Sequence, residues 1–308
     1  MSGPEAHGPV VVLGAGGFVG SHVMAALAER GVEARPVRAP RLSTPARTVH
    51  DVRAALLRPD VASETARLRD ELAGAAVVVN AAGLAHATGS GDDLFGANAL
   101  LPAVLADAIS DRTRLVHVSS AAVQGRLSPL DETTTRAPFS PYSASKALGE
   151  ELVGSRDRTV CFRPTSVHGP DRQVTRSLHR VVSSPLASVA GRGDGPTPQV
   201  LVDNVADAIA YVALAQVEPP PVVLQPSEGL TVADLVRDLG GREPRHVWTW
   251  LARLLVRTLN VVGGVAPPAA GVARRLEMLW CGQTQVAGWL TRTSWSAPAG
   301  RQQWKDMM

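Results

Sequence analysis

The run Val10-Val11-Val12-Leu13-Gly14-Ala15-Gly16-Gly17-Phe18-Val19-Gly20 constrains this chain more than any other stretch. Four aliphatic residues read as a buried strand, and glycines at 14, 17 and 20 read as a tight turn that enters a helix. Such a turn lets backbone N–H groups approach a pyrophosphate, while the helix N-terminus adds partial positive charge and the last glycine lets helix and strand pack closely. Gly14, Gly16, Gly17, Phe18 and Val19 are therefore the candidate phosphate cradle.

Behind this opening, short β-branched runs alternate with longer Ala/Leu-rich segments of helical spacing. That pattern predicts an α/β fold, a doubly wound parallel sheet of the Rossmann type. Strands are expected at Val10–Leu13, Ala34–Val37, Val77–Asn80, Leu115–Ser119 and Val160–Arg163, and helices at Phe18–Arg30, Ser63–Leu72, Leu94–Ser110 and Ser143–Val153. After Pro164, glycine and proline punctuate shorter segments, as expected of a smaller C-terminal substrate-binding lobe. The expected division is 1–163 for the dinucleotide, with 201–225 returning to it, and 164–200 with 226–308 for the lobe. Asn204–Ala215 reads as the returning helix, and Thr231 as the N-cap of a helix ending at Leu239. Val247–Val262 is apolar with Arg253 and Arg257 four residues apart, which suits a helix packed on the lobe or one lying on a membrane surface.

With 308 residues the chain is long enough to bury a large core. Two cysteines, Cys161 and Cys281, make neither a disulfide framework nor a four-thiolate site, so a reduced, cytoplasmic protein without structural metal is expected. The N-terminal apolar run stops at Gly14, too soon for a signal peptide or an integral membrane segment. The net charge is +3, but residues 241–308 hold nine basic and three acidic residues, so the basic end could face an anion. No dense basic run interleaves with aromatics, which argues against a nucleic-acid partner.

Of the 31 basic residues only Lys146 and Lys305 are lysine, and the only tyrosines are Tyr142 and Tyr211. In a chain so poor in both, Tyr142 and Lys146 still fall four apart, one helical turn on one face. A phenol titrates near 10, too high for acid/base work near neutrality, and a neighbouring ammonium would lower it. The strand end Leu115-Val116-His117-Val118-Ser119-Ser120 presents hydroxyls at the carboxyl edge of the sheet, where ligands of open α/β sheets bind. One of the two serines is expected merely to satisfy the backbone. At the end of the second strand Arg38 stands where an acid would grip ribose hydroxyls. A guanidinium there suits a 2′-phosphate and favours NADP(H) over NAD(H). Asp60-Val61 could reach the adenine amino group, or Asp60 could cap a helix.

Taken in order, Gly14-x-x-Gly17-x-x-Gly20, Asn80-Ala81-Ala82-Gly83, Asn98, Ser119-Ser120, Tyr142-x-x-x-Lys146, Arg163-Pro164-Thr165-Ser166-Val167-His168-Gly169-Pro170 and Val202-Asp203-Asn204 resemble the extended short-chain dehydrogenase/reductases, in the epimerase/dehydratase/ketoreductase branch acting on nucleotide sugars. Trp295-Ser296-Ala297-Pro298 resembles a late Gly-Trp-x-Pro turn, with Ser294 in place of the glycine. The resemblance implies that Tyr142 is the proton donor or acceptor, that Lys146 holds the nicotinamide ribose and lowers the Tyr142 pKa, and that Ser120 bonds the substrate oxygen. It places Ala81, Ala82, Asn98 and Pro164 along the dinucleotide, with Asn98 kinking its helix. Asn80, Gln124 and His168 depart from the family's His, Tyr and Tyr; His168 could line the pocket or pack as a structural loop histidine.

Dehydratases of this branch carry an Asp-Glu pair where this chain has Ala121 and Ala122, so dehydration is not expected. The expected activity is a ketoreductase that reduces the C4 ketone of an NDP-4-keto-6-deoxysugar with NADPH, Tyr142 protonating the alkoxide. His86 and Thr88 are candidates for sugar contact, and Arg172, Arg176 and Arg192 for the nucleotide diphosphate. The alternatives are an NAD-dependent 4-epimerase, which would retain its cofactor, and a non-catalytic NADP-binding sensor or scaffold, which would have no need of Tyr142 and Lys146. Reaction on a lipid-like substrate at a membrane surface is a third, carried by Val247–Val262. Because Leu94–Ser110 is apolar around nearly its whole circumference, it is expected to need a second partner. Related proteins commonly dimerise through this helix and the one bearing the tyrosine, so a homodimer is expected.

Overall fold

Strand β1 (Val10–Leu13) is buried on every side and pairs in parallel with β2 (Ala34–Val37) and β3 (Val77–Asn80). Between β1 and β2 runs α1 (Phe18–Glu29), and α2 (Val49–Leu56) and α3 (Pro59–Glu71) precede β3. The sheet continues through β4 (Arg114–Val118) and β5 (Thr159–Arg163) to an edge strand at Val222–Leu224, six parallel strands in all. The strand order reverses beside β1, and the crevice at that switch point is where ligands of such sheets bind. The computed structural model describes residues 8–85, 90–170, 172–265 and 276–307, with the backbone alone for 260–265.

Apolar residues cover both faces of the sheet. Val11, Leu13 and Val78 face Leu68, Leu105 and Leu152, and Val10, Val12 and Val79 face Leu27, Val205 and Ile209. The second set comes in part from the returning helix, Val202–Leu214, which packs against α1. The strands predicted from β-branched runs match within a residue at each end. The α2 helix has no counterpart in the prediction, being only eight residues long, and is started by Thr48, whose hydroxyl accepts from the Asp51 N–H at 3.2 Å.

The segment expected as one helix, Leu94–Ser110, is instead α4 (Asp92–Phe95), a π-helical turn at Gly96–Leu100, and α5 (Leu101–Ala108). Pro102 has no N–H for a regular helical bond, and a widened turn accommodates that loss. Gly96 allows the close approach of residue 42, since a Cβ there would lie 1.9 Å from the Leu42 carbonyl oxygen. The expectation that this helix needs a second partner to cover its apolar circumference is corrected. Leu94, Leu100, Leu101, Val104, Leu105 and Ile109 are all buried within one chain, beneath α2, α3 and the following helix, α6 (Pro141–Val153).

After β5 come β6 (Ser166–His168), α7 (Gln173–Val182), β7 (Ser188–Ala190) and β8 (Gln199–Leu201). They are followed by α8 (the returning helix), β9 (the edge strand of the main sheet), α9 (Val232–Gly240), β10 (Arg245–Val247) and α10 (Thr249–Val265). These build two small parallel pairs, β6 with β8 and β7 with β10. Thr231 caps α9 in a capping box with Asp234, as its position predicts. A separate apolar cluster of Val189, Leu235, Val236, Leu239 and Trp304 closes this region. No helix among the described residues is long and apolar enough to cross a membrane.

One buried ion pair joins α6 to the sheet. Arg163, at the end of β5, donates from Nε and Nη2 to the two carboxylate oxygens of Glu150 at 2.9 and 2.7 Å, both side chains being fully buried. Arg163 Nη1 also donates to the Thr133 carbonyl at 2.8 Å. Glu150 also accepts from Arg136 Nε at 3.3 Å, so it is removal of Glu150 that leaves the Arg163 charge buried and unpaired. Glu150→Gln is expected to lower unfolding stability by about 3–5 kcal/mol, read as a fall in the urea midpoint at constant m.

Candidate active site

The glycine turn closes onto the strand beside it. Gly14 holds φ at +77°, and a Cβ there would lie 2.5 Å from the Ala82 nitrogen. Gly20 lets α1 settle on the turn, since its Cβ would meet the Gly14 carbonyl oxygen at 2.0 Å. A Cβ on Gly16, by contrast, would meet nothing within 4 Å, so that side of the turn is open. Gly17 is the N-cap of α1 without a side-chain cap, which leaves the first N–H groups of the helix, at Phe18 and Val19, directed at the opening. This cradle fits the pyrophosphate of a dinucleotide in shape and in charge.

Ala81 continues β3 through its N–H bond to the Leu13 carbonyl at 3.0 Å, and Asn80 Oδ1 accepts from the Ala82 N–H at 3.2 Å. Asn98 lies in the π turn and is fully buried. Its Oδ1 accepts from the Leu84 N–H at 3.0 Å, while its Nδ2 donates to the Leu84 carbonyl at 2.8 Å and to Ser145 Oγ at 3.0 Å. Asn98 thus clamps the loop after β3 to α6. Gly83 leaves room beside Lys146, whose Nζ would lie 2.9 Å from a Cβ at that position.

At the β4 end, Ser120 Oγ caps a 3₁₀ turn by accepting from the Ala122 N–H at 3.2 Å, and the same hydroxyl stands close enough to the Tyr142 phenol to bear on its ionisation. The backbone role expected of one serine and the site geometry therefore fall on the same residue. Ser119 Oγ, also buried, has no hydrogen-bond partner among the described residues. α6 begins at Pro141 with a capping box between Ser140 and Ser143, which places Tyr142 in its first turn.

Lys146 Nζ is buried and donates to the Val118 carbonyl at 2.9 Å. Burial brings its pKa down to about 8, partly opposed by Glu150 one turn on. The expectation that Lys146 lowers the Tyr142 pKa is corrected. Burial raises that pKa, opposed by the neighbouring Ser120 hydroxyl and the Arg172 charge. The Lys146 ammonium is instead committed to the Val118 carbonyl.

Arg172 sits with its guanidinium 4.8 Å from the Phe18 ring centroid and bonds to the Val167 carbonyl, beside Tyr142. Arg176 lies one turn into α7, exposed, with Gln173 Oε1 at 3.3 Å. Arg192 lies in the turn after β7, next to Gly191 and β10. The three arginines expected at one diphosphate thus have separate settings. His86 and Thr88 lie outside the described residues. Arg38 is exposed just past β2 and forms no ion pair with a carboxylate among the described residues. Asp60 is not a helix cap: Arg58 occupies the N-cap position of α3 without a side-chain capping bond, and Asp60, in the first turn, faces solvent paired with it, while Val61 is fully buried in the core. The Val61 side chain is therefore turned away from any surface adenine. Pro164 follows β5, and its carbonyl accepts from the Ala121 N–H at 2.8 Å.

His168 proves to be structural. Its Nε2 lies 2.6 Å from Gln199 Oε1 and 3.0 Å from Ser166 Oγ, its Nδ1 lies 3.2 Å from Thr175 Oγ1, and burial takes its pKa down to about 4. Gln124 is likewise engaged, donating to Asp131 Oδ1 at 2.6 Å and accepting from the Asp131 N–H at 3.1 Å. His117, which the sequence reading passes over, is buried under the site. Its Nδ1 meets Asn80 Nδ2 at 3.2 Å and its Nε2 has no partner among the described residues. Burial, and then the Lys146 charge, hold it neutral. The available signal was its place as a polar residue inside an apolar strand.

The profile of the NAD dependent epimerase/dehydratase family matches residues 10–224, well over half of the chain. The chain is 30% identical over 214 residues to a ceramide reductase of Caulobacter vibrioides, a match covering 67% of this chain and 60% of that protein. It is also 30% identical over 225 residues to a 2-alkyl-3-oxoalkanoate reductase of Stenotrophomonas maltophilia, covering 67% of this chain and 66% of that one. The chain thus spans less than two thirds of the length of these relatives. Among solved structures, Bordetella bronchiseptica WbmG in complex with NAD aligns at a TM-score of 0.57 and 20% identity, covering 80% of this chain and 83% of that one. A Bacillus anthracis dTDP-4-dehydrorhamnose reductase in complex with NADP aligns at 0.55 and 16%, covering 78% and 83%. These structural likenesses are likenesses of fold. With its parallel sheet, its glycine cradle and a match across all six strands, the chain belongs to the NAD dependent epimerase/dehydratase family, the extended short-chain dehydrogenase/reductases.

Proposed function

We propose that the protein is a nicotinamide-dependent ketoreductase that converts a ketone to a secondary alcohol. The observation that carries this reading is the gathering of Tyr142 and Ser120 at the carboxyl edge of the sheet, with Lys146 buried behind and only Ala121 and Ala122 where an eliminating acid and base would stand. A reduced nicotinamide dinucleotide, when bound, supplies the hydride. The Ser120 hydroxyl donates to the carbonyl oxygen and polarises it, and Tyr142 gives its phenolic proton to that oxygen as negative charge develops. Burial keeps Tyr142 protonated near neutrality, as a donor requires, and Arg172 beside it stabilises the phenolate left behind. In this reading residues 1–163 with 201–225 hold the dinucleotide, and 164–200 with 226–308 hold the ketone.

Two substrate classes have support. A ketone on an alkyl or acyl chain is favoured by the relatives at 30% identity, reductases named for ceramide and for 2-alkyl-3-oxoalkanoates. An NDP-4-keto-6-deoxysugar, the substrate the sequence resemblance implies, is favoured by the fold shared with a dehydrorhamnose reductase and is the second reading. NADP(H) is the cofactor we assign over NAD(H), on the exposed Arg38 past β2.

Purified protein with NADPH is expected to consume nicotinamide absorbance with a 3-oxoacyl amphiphile. Activity on a dTDP-4-keto-6-deoxyhexose alone would select the second reading, and conversion of UDP-glucose to UDP-galactose without net oxidation would overturn both. Tyr142→Phe is expected to lower kcat by about 10²–10⁴ while sparing dinucleotide binding. Arg38→Ser is expected to raise the KM for NADPH by at least about tenfold and to leave that for NADH unchanged, since only the former carries the 2′-phosphate. In this reading Lys146 holds the nicotinamide ribose as an ammonium; it is cationic below about pH 8 and loses its charge as the pH rises through that value, so kcat/KM is expected to fall above about pH 8. A flat profile to pH 10 would remove the Lys146 charge from the mechanism.

A further inference from the structure

Outside the site, the polarity of one helix is reversed. Small residues of α10, Ala252 and Val256, are buried, whereas Trp250 and Leu254 are 60% and 53% exposed. Trp248, just before the helix, is 71% exposed, with its ring centroid 6.0 Å from that of Trp250. Positions 250, 253, 254 and 257 lie along one face, so the outward stripe reads Trp250, Arg253, Leu254, Arg257. The two tryptophans and Arg253 border a hollow with Gly191, His246 and Val247.

Along 241–265 the exposed charge is predominantly of one sign. Arg242, Arg245, Arg253 and Arg257 are all exposed, and the sole acidic residue of 241–265, Glu243, is already paired with Arg237 at 2.9 Å. Tryptophan gains most at a bilayer interface, where the ring leaves water and its N–H stays hydrated, and arginines beside it meet anionic headgroups while their stems cover apolar surface. A protein partner would have to bring acidic residues arranged to match. A bilayer with anionic lipid supplies that charge everywhere on a plane, at the same level as an aromatic interface.

We propose that Trp248, Trp250 and Leu254, ringed by Arg242, Arg245, Arg253 and Arg257, dock this protein peripherally on the surface of an anionic phospholipid bilayer. The inference stands apart from the choice of ketone, because it concerns a surface and its test reads binding rather than turnover.

The whole chain is sedimented with phosphatidylcholine vesicles with and without about 30 mol% phosphatidylglycerol. Binding is expected to be at least about tenfold tighter to the anionic vesicles and to weaken with salt. Trp248→Ser with Trp250→Ser is expected to lower it by about tenfold or more, and Arg253→Gln with Arg257→Gln by a similar factor, each with unchanged circular dichroism. Trp248→Phe with Trp250→Phe is expected to keep sedimentation yet lose the fluorescence quenching caused by brominated lipid, which assigns the depth signal to these two rings among the six tryptophans. No binding to anionic vesicles at low salt would overturn the proposal, as would equal binding by the wild type and both weakened variants. Concentration-dependent dimerisation abolished by the Ser variants, without vesicle binding, would assign the face to a second copy instead and equally overturn it.

Discussion

The buried pair of Glu150 and Arg163 is the interaction on which the arrangement of the site depends. Two charges fully out of water are costly, and here the cost is offset by a two-pronged contact and by the Thr133 carbonyl that takes a further donor of the guanidinium. Its geometric effect is to lock the middle of α6 to the end of β5. One turn before Glu150 on that helix is Lys146, and a further turn back is Tyr142; one residue after Arg163 is Pro164, whose carbonyl holds the 3₁₀ turn after Ser120. The register of the phenol against the serine hydroxyl is thus set from below by an interaction that touches neither. The same carboxylate opposes the loss of the Lys146 proton, which couples the structural pair to the electrostatics of the site.

Around Tyr142 the charges are distributed differently from what the one-turn spacing suggests. Side chains four apart on a helix are neighbours, but a lysine stem is long enough to choose among acceptors, and Lys146 reaches the Val118 carbonyl at the end of β4. The cation that bears on the phenol comes from Arg172, at the start of α7, held in place by the face of Phe18. Phe18 itself opens α1 next to the glycine cradle. One aromatic ring therefore sits between the candidate phosphate site and the residue that tunes the candidate proton donor.

The fold was largely legible in the residues. Strands such as Val10–Leu13 and Val77–Asn80 announce themselves because strands buried on both faces need unbroken β-branched runs, and the glycines after Leu13 because nothing with a Cβ fits at Gly14 or Gly20. What escaped the reading was short or non-periodic: the eight-residue helix Val49–Leu56, and the π turn around Asn98, which depends on Pro102 and on a contact with Leu42. The apolar circumference of Leu94–Ser110 was read correctly as buried on several sides but assigned to a missing partner, when the cover comes from helices of the same chain. His168 and Gln124 stand at family positions as substitutes, and each has been absorbed into a hydrogen-bond network with residues 2 to 31 positions away.

Sequence sufficed for whatever depends on neighbours along the chain: the order of strands and helices, the glycine cradle, the helical spacing of Tyr142 and Lys146, the alanines where an acid and base would stand. These follow from periodicity and from the presence or absence of a side chain, which are local quantities. Tertiary structure alone decided which hydroxyl meets the phenol, which cation tunes it, what covers the helix Leu94–Ser110 and that Trp248 and Trp250 remain outside. Each of these turns on distances between residues remote in sequence, and electrostatics and burial fall off with distance in space, whatever the separation along the chain.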